Sequence, residues 1–294
     1  MKLVTYRYKE KEAVGVVSPC GNYVYPVKDL GFAFDTMNEL IDGLSGEGLC
    51  GLQKAAEAGT EAGIPFEQVE LLAPIPVPKQ DMICLGINYM AHAEESARYK
   101  KEAFGGERPF AVYFSKRIGE AVKPYGEIEG HFDIVERLDY EAELALIIGK
   151  DAKKVEEKDA AGYVLGYTVI NDVSAREIQT RHKQWYFGKG LDGFTPMGPW
   201  IVTADELSFP PKLGIQSRVN GELRQDSNTE LLIFDIPHII HELSQGITLK
   251  AGTIIATGTP AGVGMGFDPP KFLKAGDEIA CTIEGIGTIR NVVK

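Results

Sequence analysis

The sequence predicts an α+β fold made mostly of β-strands, and three features of the chain indicate it. Short segments in which apolar residues alternate with period two outnumber segments with helical spacing. Strands and helices do not alternate regularly, as they would in a doubly wound parallel sheet. Residues 71–79, LLAPIPVPK, contain three prolines, which are incompatible with a helix and with most sheet pairing. We therefore predict a small N-terminal β-domain over residues 1–72 and a larger domain over residues 80–294.

The N-terminal segment is predicted to consist of strands joined by tight turns, followed by two short helices. The turn Cys20-Gly21-Asn22 separates the second strand from the third. The strands are expected over residues 2–8, 13–17 and 23–27, and the helices over residues 37–44 and 52–58.

Beyond the proline-rich segment, the pattern predicts a series of strands with fewer helices between them. Strands are expected over residues 82–86, 110–114, 141–148, 162–171, 200–203, 213–219, 253–257 and 278–289. Helices are expected over residues 91–101, 175–182 and 236–244.

The composition excludes several classes of function. A formal net charge of −11 disfavours nucleic acid as a partner, because phosphates require clustered Lys and Arg. The four cysteines are widely spaced and form no CxxC pair, which argues against structural zinc. The chain has no run of 18 uncharged apolar residues and no signal-peptide pattern at its start. We expect a cytoplasmic protein that binds neither nucleic acid nor membrane.

Residues 138–148, LDYEAELALII, form the most informative segment. Read as a strand, it places Asp139, Glu141 and Glu143 on one face and apolar side chains on the other. Neighbouring carboxylates lose stability through repulsion and desolvation unless a cation joins them. From this strand alone, a metal site and a solvated face on an edge strand are equally good interpretations.

Asp172 supplies a third carboxylate. It follows the predicted strand over residues 162–171, and Ser174 with Glu177 has the spacing of a capping box that starts a helix. Asp172 is therefore expected at a strand-to-helix junction, with a turn-forming or capping role as the alternative. Together with Glu141 and Glu143 it makes a hard oxygen site suited to Mg²⁺ or Mn²⁺, with Ca²⁺ as a further candidate and Zn²⁺ less favoured.

His92 and Glu95 are three residues apart and would share one face of a helix. A carboxylate beside an imidazole fixes its tautomer and makes a general base for water. An exposed helical His–Glu pair is the alternative. The segment over residues 98–109 is charged and contains Gly105-Gly106, so we predict a mobile lid there.

Two further segments carry candidate residues. Lys189 is surrounded by aromatic residues and glycines, where its charge could stabilise an enolate or simply lie over aromatic side chains at the surface. Residues 257–264, TGTPAGVG, form a glycine-rich turn after a strand. The backbone N–H groups of this turn and the Thr259 hydroxyl suit a carboxylate, with a plain tight turn as the alternative.

Six motifs in collinear order resemble those of the fumarylacetoacetate hydrolase family. They lie at residues 86–95, 139–150, 171–179, 183–199, 219–234 and 256–264, so the resemblance covers about residues 80–294. It is closest to the branch with ureidoglycolate lyase-like and fumarylacetoacetate hydrolase domain-containing protein 2-like sequences. The resemblance implies a mixed β-sandwich roll, usually a homodimer, with a divalent metal.

The resemblance also implies a role for each of ten residues. The implied metal ligands are Glu141, Glu143 and Asp172. The implied water-activating dyad is His92 and Glu95, on a lid helix, and Lys189 would lie near the carbanion. The residues implied to contact the substrate are Lys116, Arg176, Gln179 and Thr259.

The activity implied by the resemblance is divalent-metal-dependent hydrolysis of a C–C bond in a small acylpyruvate or 1,3-diketo acid. The same residues suit a decarboxylase or tautomerase of an oxaloacetate-like oxo-acid, and a lyase of the ureidoglycolate type. A non-catalytic metabolite-binding protein is the alternative from a different class. The presence of both His92 and Glu95 argues against it, because binding alone requires no base.

Overall fold

The computed structural model describes the whole chain except residues 45, 61, 102, 104, 107 and 108. Its strands are β1 (Lys2–Tyr8), β2 (Lys11–Val17), β3 (Tyr23–Pro26), β4 (Ile64–Pro65), β5 (Glu70–Leu71), β6 (Met82–Gly86), β7 (Val112–Lys116), β8 (Glu127–Ile128), β9 (Leu138–Asp139), β10 (Ala142–Ile148), β11 (Val164–Asn171), β12 (Ser174–Ala175), β13 (Met197–Thr203), β14 (Gly214–Val219), β15 (Glu222–Asn228), β16 (Ile254–Ala256), β17 (Glu278–Ile283) and β18 (Gly287–Val293). Its helices are α1 (Met37–Gly43), α2 (Gly46–Ala58), α3 (Met90–Lys100), α4 (Arg176–Arg181), α5 (Tyr186–Lys189) and α6 (Ile236–Gly246).

These elements confirm the predicted α+β fold made mostly of strands. In the described residues the largest sheet has the order β4-β3-β2-β1-β13-β11-β10-β16-β6-β7, with β5 paired to β1. It is mixed, because β16 and β6 run parallel whereas β10 pairs antiparallel with both β11 and β16. A second sheet has the order β15-β14-β17-β18-β8, and β9 pairs with β12.

The N-terminal strands extend the large sheet. Strand β1 pairs antiparallel with β13, with Lys2 opposite Val202 and Leu3 opposite Ile201. The predicted boundary over residues 72–80 lies in the connection between β5 and β6. The division into two domains stays a prediction, since one sheet contains strands from both sides of that boundary.

Strand β10 is buried on both faces, and this explains its continuous apolar run over residues 144–148. Leu144 and Leu146 pack into one core cluster, together with side chains of α6 and β17. Ala145 and Ile147 pack into the other cluster, together with side chains of α1 and β13. Since full burial of a Leu or Ile side chain contributes about 1.5–3 kcal/mol, this strand is fixed firmly at the centre of the fold.

Several local predictions were wrong. The single strand expected over residues 278–289 is a hairpin of β17 and β18, with Gly285 in the left-handed region at φ 73°. The capping box is absent, since α4 has no side-chain cap. Ser174 Oγ instead donates to Asp172 O at 3.0 Å. The Glu177 carboxylate accepts from the backbone N–H groups of Glu136 and Arg137 at 2.7 and 3.1 Å. Strand β15 and helix α5 were not predicted.

No helix among the described residues combines the length and the apolar character needed to cross a membrane.

Candidate active site

Three carboxylates from two paired strands converge at the end of the central sheet. Glu141 precedes β10, Glu143 lies within it, and Asp172 follows β11, which pairs with β10 so that Ala142 lies opposite Asn171. Side chains two apart on a strand point the same way, so Glu141 and Glu143 face the same site. One oxygen from each of the three carboxylates lies within 4.8 Å of the others, and all three residues are buried. The structure therefore brings together the predicted triad.

Two buried lysines contact two of the three carboxylates, Glu141 and Asp172. Lys189 Nζ lies 2.6 Å from Glu141 Oε2 and 2.6 Å from Asp172 Oδ2. Lys116 Nζ lies 2.6 Å from Asp172 Oδ1 and 3.0 Å from Val173 O. Burial lowers the pKa of Lys116 against the opposing effect of Asp172. Lys116 is fully buried and contacts Asp172, so it affects the site by way of that carboxylate. Direct contact between Lys116 and a substrate stays a prediction.

Arg176 is the third buried cation of the site. Its Nε lies 2.9 Å from Asp139 Oδ2, and its Nη1 lies 2.7 Å from Glu141 Oε1 and 3.2 Å from Gln179 Oε1. Its Nη2 is buried and has no hydrogen-bond partner among the described residues. A buried N–H without an acceptor is costly, so this atom suits an anionic ligand in the adjoining cavity.

The charges of Glu141 and Lys189 stabilise each other. Burial disfavours the Glu141 carboxylate, yet Lys189, Arg176 and His92 together outweigh burial and lower its pKa below the ordinary value. Burial likewise disfavours the Lys189 ammonium, and the neighbouring Asp172 and Glu141 outweigh it and raise the pKa of Lys189. Both groups are therefore ionised at neutral pH.

Glu143 differs from the other two carboxylates of the triad. Burial raises its pKa well above the ordinary value, and the charges of Asp172 and Glu141 raise it further. Its Oε2 accepts a hydrogen bond from the Gly258 N–H at 2.8 Å, which compensates only in part. Like charges placed this closely favour a divalent cation, and a donor set of three carboxylates fits Mg²⁺ or Mn²⁺. The site can therefore hold a divalent metal.

His92 and Glu95 lie on α3 and are buried, not an exposed surface pair, with 4% and 5% of their surface exposed. His92 Nδ1 lies 3.0 Å from Glu95 Oε2, and Glu95 Oε1 accepts from the Gly262 N–H at 3.0 Å. An ionised carboxylate can only accept, so the proton of this contact is on Nδ1. The other ring nitrogen, Nε2, has no hydrogen-bond partner among the described residues, and His92 lines the cavity, so Nε2 can accept a proton from a ligand there.

A glycine-rich segment over residues 258–266, here called the glycine loop, holds three carboxylates through its backbone. The sequence predicts that these N–H groups suit a ligand carboxylate, but several of them bind the chain's own acidic side chains. The pairs are Gly258 N with Glu143 Oε2 (2.8 Å), Gly262 N with Glu95 Oε1 (3.0 Å), Gly264 N with Asp139 Oδ1 (2.6 Å) and Met265 N with Asp139 Oδ2 (3.0 Å).

Gly266 shows why this loop needs small residues. A Cβ at that position would lie 1.7 Å from Glu95 Oε1, so only glycine lets the carboxylate approach so closely. The same loop carries Thr259, whose Oγ1 donates to Ala142 O at 2.9 Å and accepts from Gln225 Nε2 at 2.7 Å. Gln225 is a residue that the sequence analysis did not single out.

A cavity of about 1190 Å³ opens over these groups. Its wall includes the predicted site residues His92, Glu141, Glu143, Arg176, Gln179, Lys189 and Thr259. Five exposed cations also line it: Lys100, Lys101, Arg137, Arg181 and Lys183. In a chain with a net charge of −11, this local excess of positive charge draws anions toward the carboxylate triad. The predicted lid stays a prediction, because residues 102, 104, 107 and 108 lie outside the described part of the chain.

Comparisons with known proteins show what this chain is similar to. The family model described as fumarylacetoacetate (FAA) hydrolase C-terminal matches residues 81–294. The chain is 47% identical to the oxaloacetate tautomerase YisK of Bacillus subtilis (strain 168) over 229 residues, which are 78% of this chain and 74% of that protein.

Solved structures resemble the whole chain. A fumarylacetoacetate hydrolase from the psychrophilic Exiguobacterium antarcticum is 38% identical with a TM-score of 0.83, covering 100% of this chain and 99% of that one. A maleylpyruvate hydrolase from Sphingobium sp. SYK-6, in complex with manganese(II) ion and pyruvate, is 32% identical with a TM-score of 0.76, covering 100% and 98%.

Proposed function

This chain belongs to the fumarylacetoacetate hydrolase family, and on that premise we propose that it is a divalent-metal-dependent enzyme that moves a proton next to the carbonyl of a small 2-oxo acid. The first substrate class is an oxaloacetate-like diacid, converted between its keto and enol forms. The observation that carries the proposal is one cavity lined by Glu141 and Glu143, two members of the carboxylate triad, and by His92, whose ring is oriented by Glu95.

The inner part of the cavity suits a ligand carboxylate. Arg176, whose Nη2 has no hydrogen-bond partner among the described residues, lines the cavity, and so does Gln179, three residues further along α4. The guanidinium cannot turn away, because Asp139 and Glu141 hold its other nitrogens at 2.9 and 2.7 Å. A carboxylate placed on Nη2 would be fixed in orientation beside the triad.

Glu141, Glu143 and Asp172 would hold the metal. When bound, a divalent cation supplies Lewis-acid polarisation of a carbonyl oxygen. The manganese ion in the related maleylpyruvate hydrolase supports this assignment, and the choice of ion in this chain is part of the proposal.

His92 carries the proton in the proposed reaction. Its Nε2 takes a proton from the carbon next to the ketone and returns it to the ketone oxygen, which becomes the enol hydroxyl. The change is therefore an isomerisation without net loss of atoms. Glu95 keeps the ring oriented through Nδ1. Lys189, whose ammonium is kept protonated by two carboxylates, places a positive charge beside the developing enolate.

Hydrolysis of a C–C bond in an acylpyruvate is the second candidate. The oriented His92 favours it, because the same Nε2 can remove a proton from water. The water oxygen then adds to the distal carbonyl and the C–C bond breaks. The electron pair of the broken C–C bond remains on the pyruvate enolate, which is then protonated on carbon to give pyruvate. The other product is a carboxylic acid. The likeness to a maleylpyruvate hydrolase along the whole chain supports this candidate.

A substrate screen with Mn²⁺ or Mg²⁺ tests both candidates, with Glu143→Gln as the inactive reference. Loss of the ultraviolet absorbance of enol oxaloacetate reports tautomerisation, pyruvate formation reports decarboxylation or acylpyruvate cleavage, and urea release reports a ureidoglycolate-type lyase. We expect metal-dependent loss of enol oxaloacetate. Tight metal binding without turnover of any of these substrates would contradict the proposal and favour a binding protein.

The quaternary state and the cellular location belong to the same proposal. The family resemblance implies a homodimer, and light scattering of the purified protein tests it. A cytoplasmic location stays a prediction, which cell fractionation tests.

A further inference from the structure

A buried amide from the second sheet reaches the strand that carries two of the triad carboxylates. Gln225 lies on β15, and its side chain is fully buried, whereas its neighbours on that strand are partly or fully exposed. It makes three hydrogen bonds across the gap between the two sheets. Its Oε1 accepts from Ala142 N at 3.0 Å, and its Nε2 donates to Thr259 Oγ1 at 2.7 Å and to Pro260 O at 2.8 Å.

These contacts close a ring around Ala142, the residue between Glu141 and Glu143. Thr259 Oγ1 donates to Ala142 O at 2.9 Å, so both polar backbone groups of Ala142 are bound to side chains. The sheet ladder does not supply these partners, because β10 pairs with β16 only over Ala145, Leu146 and Ile147. Beyond that point the neighbouring chain turns away at Gly258, which has φ 94°. The side chains of Gln225 and Thr259 replace the missing strand.

The same amide also fixes the glycine loop. Thr259 and Pro260, the two residues it binds, lie between the Gly258 N–H that holds Glu143 and the Gly262 N–H that holds Glu95. Displacement of this segment would therefore move a carboxylate of the triad and the partner of the proton-transferring histidine together.

We propose that Gln225 is a positioning residue of the metal site: it sets the spacing of Glu141 and Glu143 and aligns the glycine loop against them. It touches neither the metal nor the substrate. Substitution of a residue that orients metal ligands typically costs about 10- to 100-fold in metal affinity or activity.

The inference rests on the proposed metal dependence, and Mn²⁺ affinity of the full chain, measured by electron paramagnetic resonance titration, tests it. Gln225→Met keeps the length of the side chain and removes all three hydrogen bonds. We expect it to weaken Mn²⁺ binding by about 10- to 100-fold. Unchanged affinity would overturn the proposal.

Asn291→Leu is the matched control for a purely structural role. Asn291 is 2% exposed, and its Nδ2 donates to Lys123 O and Gly126 O at 3.0 Å each, away from the cavity-lining residues. Both variants should lower the unfolding temperature in metal-free buffer, but Asn291→Leu should bind Mn²⁺ as the wild type does. An equal loss of affinity in the two variants would overturn the proposal.

Gln225→Glu keeps the inference testable if Gln225→Met does not fold. This variant retains an acceptor for the Ala142 N–H but loses the N–H₂ group that donates to Thr259 and Pro260, so we expect weaker Mn²⁺ binding. Mn²⁺ affinity equal to that of the wild type would overturn the inference. A wild-type protein without affinity for Mn²⁺ would overturn the proposed function itself, whereas tight binding by both the wild type and Gln225→Met would overturn only this inference.

Discussion

The three carboxylates of the triad should respond differently to neutralisation, and Glu143→Gln is the most informative change. Glu141 and Asp172 each have buried cations within 2.7 Å, whereas Glu143 has the Gly258 N–H at 2.8 Å and two like charges nearby. A glutamine side chain at this position keeps an acceptor for that N–H and carries no charge. The substitution therefore removes repulsion without breaking an ion pair.

The sign of the effect in metal-free protein follows from the raised pKa of Glu143. Proton binding by Glu143 stabilises the folded state. This stabilisation is complete below the ordinary carboxyl pKa of 4.5, and it is lost as the pH rises through the raised pKa of Glu143 in the folded protein. Over that interval the group lowers the free energy of unfolding by about 1.4 kcal/mol per pH unit. Glutamine does not titrate, so Glu143→Gln should be more stable than wild type at pH about 8 and lose that advantage below the ordinary carboxyl pKa.

Manganese should reverse this order. At a concentration of about 100 times Kd, Mn²⁺ adds about 2.7 kcal/mol to the stability of a protein that binds it only when folded. Glu143→Gln, which lacks one ligand charge, should gain little. Urea unfolding with EDTA or with Mn²⁺, followed by tryptophan fluorescence, measures both effects. A variant that is less stable than wild type in EDTA at pH about 8, or that keeps the full gain from Mn²⁺, would refute the reasoning.

Glu141→Gln is the comparison. It removes the charge that Lys189 and Arg176 both contact, at 2.6 and 2.7 Å. Lys189 is then left with Asp172 alone and Arg176 with Asp139 alone. We expect a loss of about 3–5 kcal/mol in EDTA, because removal of one partner leaves uncompensated buried charge.

Three further changes test the remaining parts of the site. His92→Gln should lower turnover by about 10²- to 10⁴-fold through loss of the base and leave Mn²⁺ affinity unchanged. Full activity of this variant would contradict the role of the His92–Glu95 pair as the general base. Gly266→Ala should lower kcat without loss of Mn²⁺ binding, because its Cβ would lie 1.7 Å from the dyad carboxylate, whereas Gly246→Ala, with open space around it, should match wild type. Lys116→Met should lower the free energy of unfolding in EDTA by about 3–5 kcal/mol, since it removes the cation 2.6 Å from Asp172 Oδ1; urea unfolding that shows no loss would contradict the buried pair.

Residues 138–148 show what alternation predicts and where it stops. The two faces were predicted correctly, and the triad members Glu141 and Glu143 lie on the expected side. Asp139 was on the same predicted face, yet it belongs to β9, which pairs with β12, and binds Arg176 and the glycine loop. Alternation orders side chains along one strand, but it does not identify their partners from distant elements.

The cations around the triad show the same limit. Lys116 ends β7 and Lys189 ends α5, and both reach Asp172 only because the sheet brings these ends together. Lys116 became a candidate through the family resemblance alone, and Lys189 through its aromatic and glycine neighbours; no spacing in the sequence predicted that either would contact Asp172. Gln225 had one local signal, a polar residue at an inward position of a strand, but β15 itself was not predicted.

The glycine loop constrains how this site can change over generations. The groups of this loop that bind the carboxylates are peptide N–H groups, so most point substitutions leave these donors in place. Only a change in the course of the backbone would move them. Insertion or removal of one residue between positions 258 and 265 would displace the N–H donors that bind Glu143, Glu95 and Asp139, and so would move all three carboxylates together. Proteins of this architecture should therefore vary their substrates at the cationic rim of the cavity and keep the length of this loop fixed.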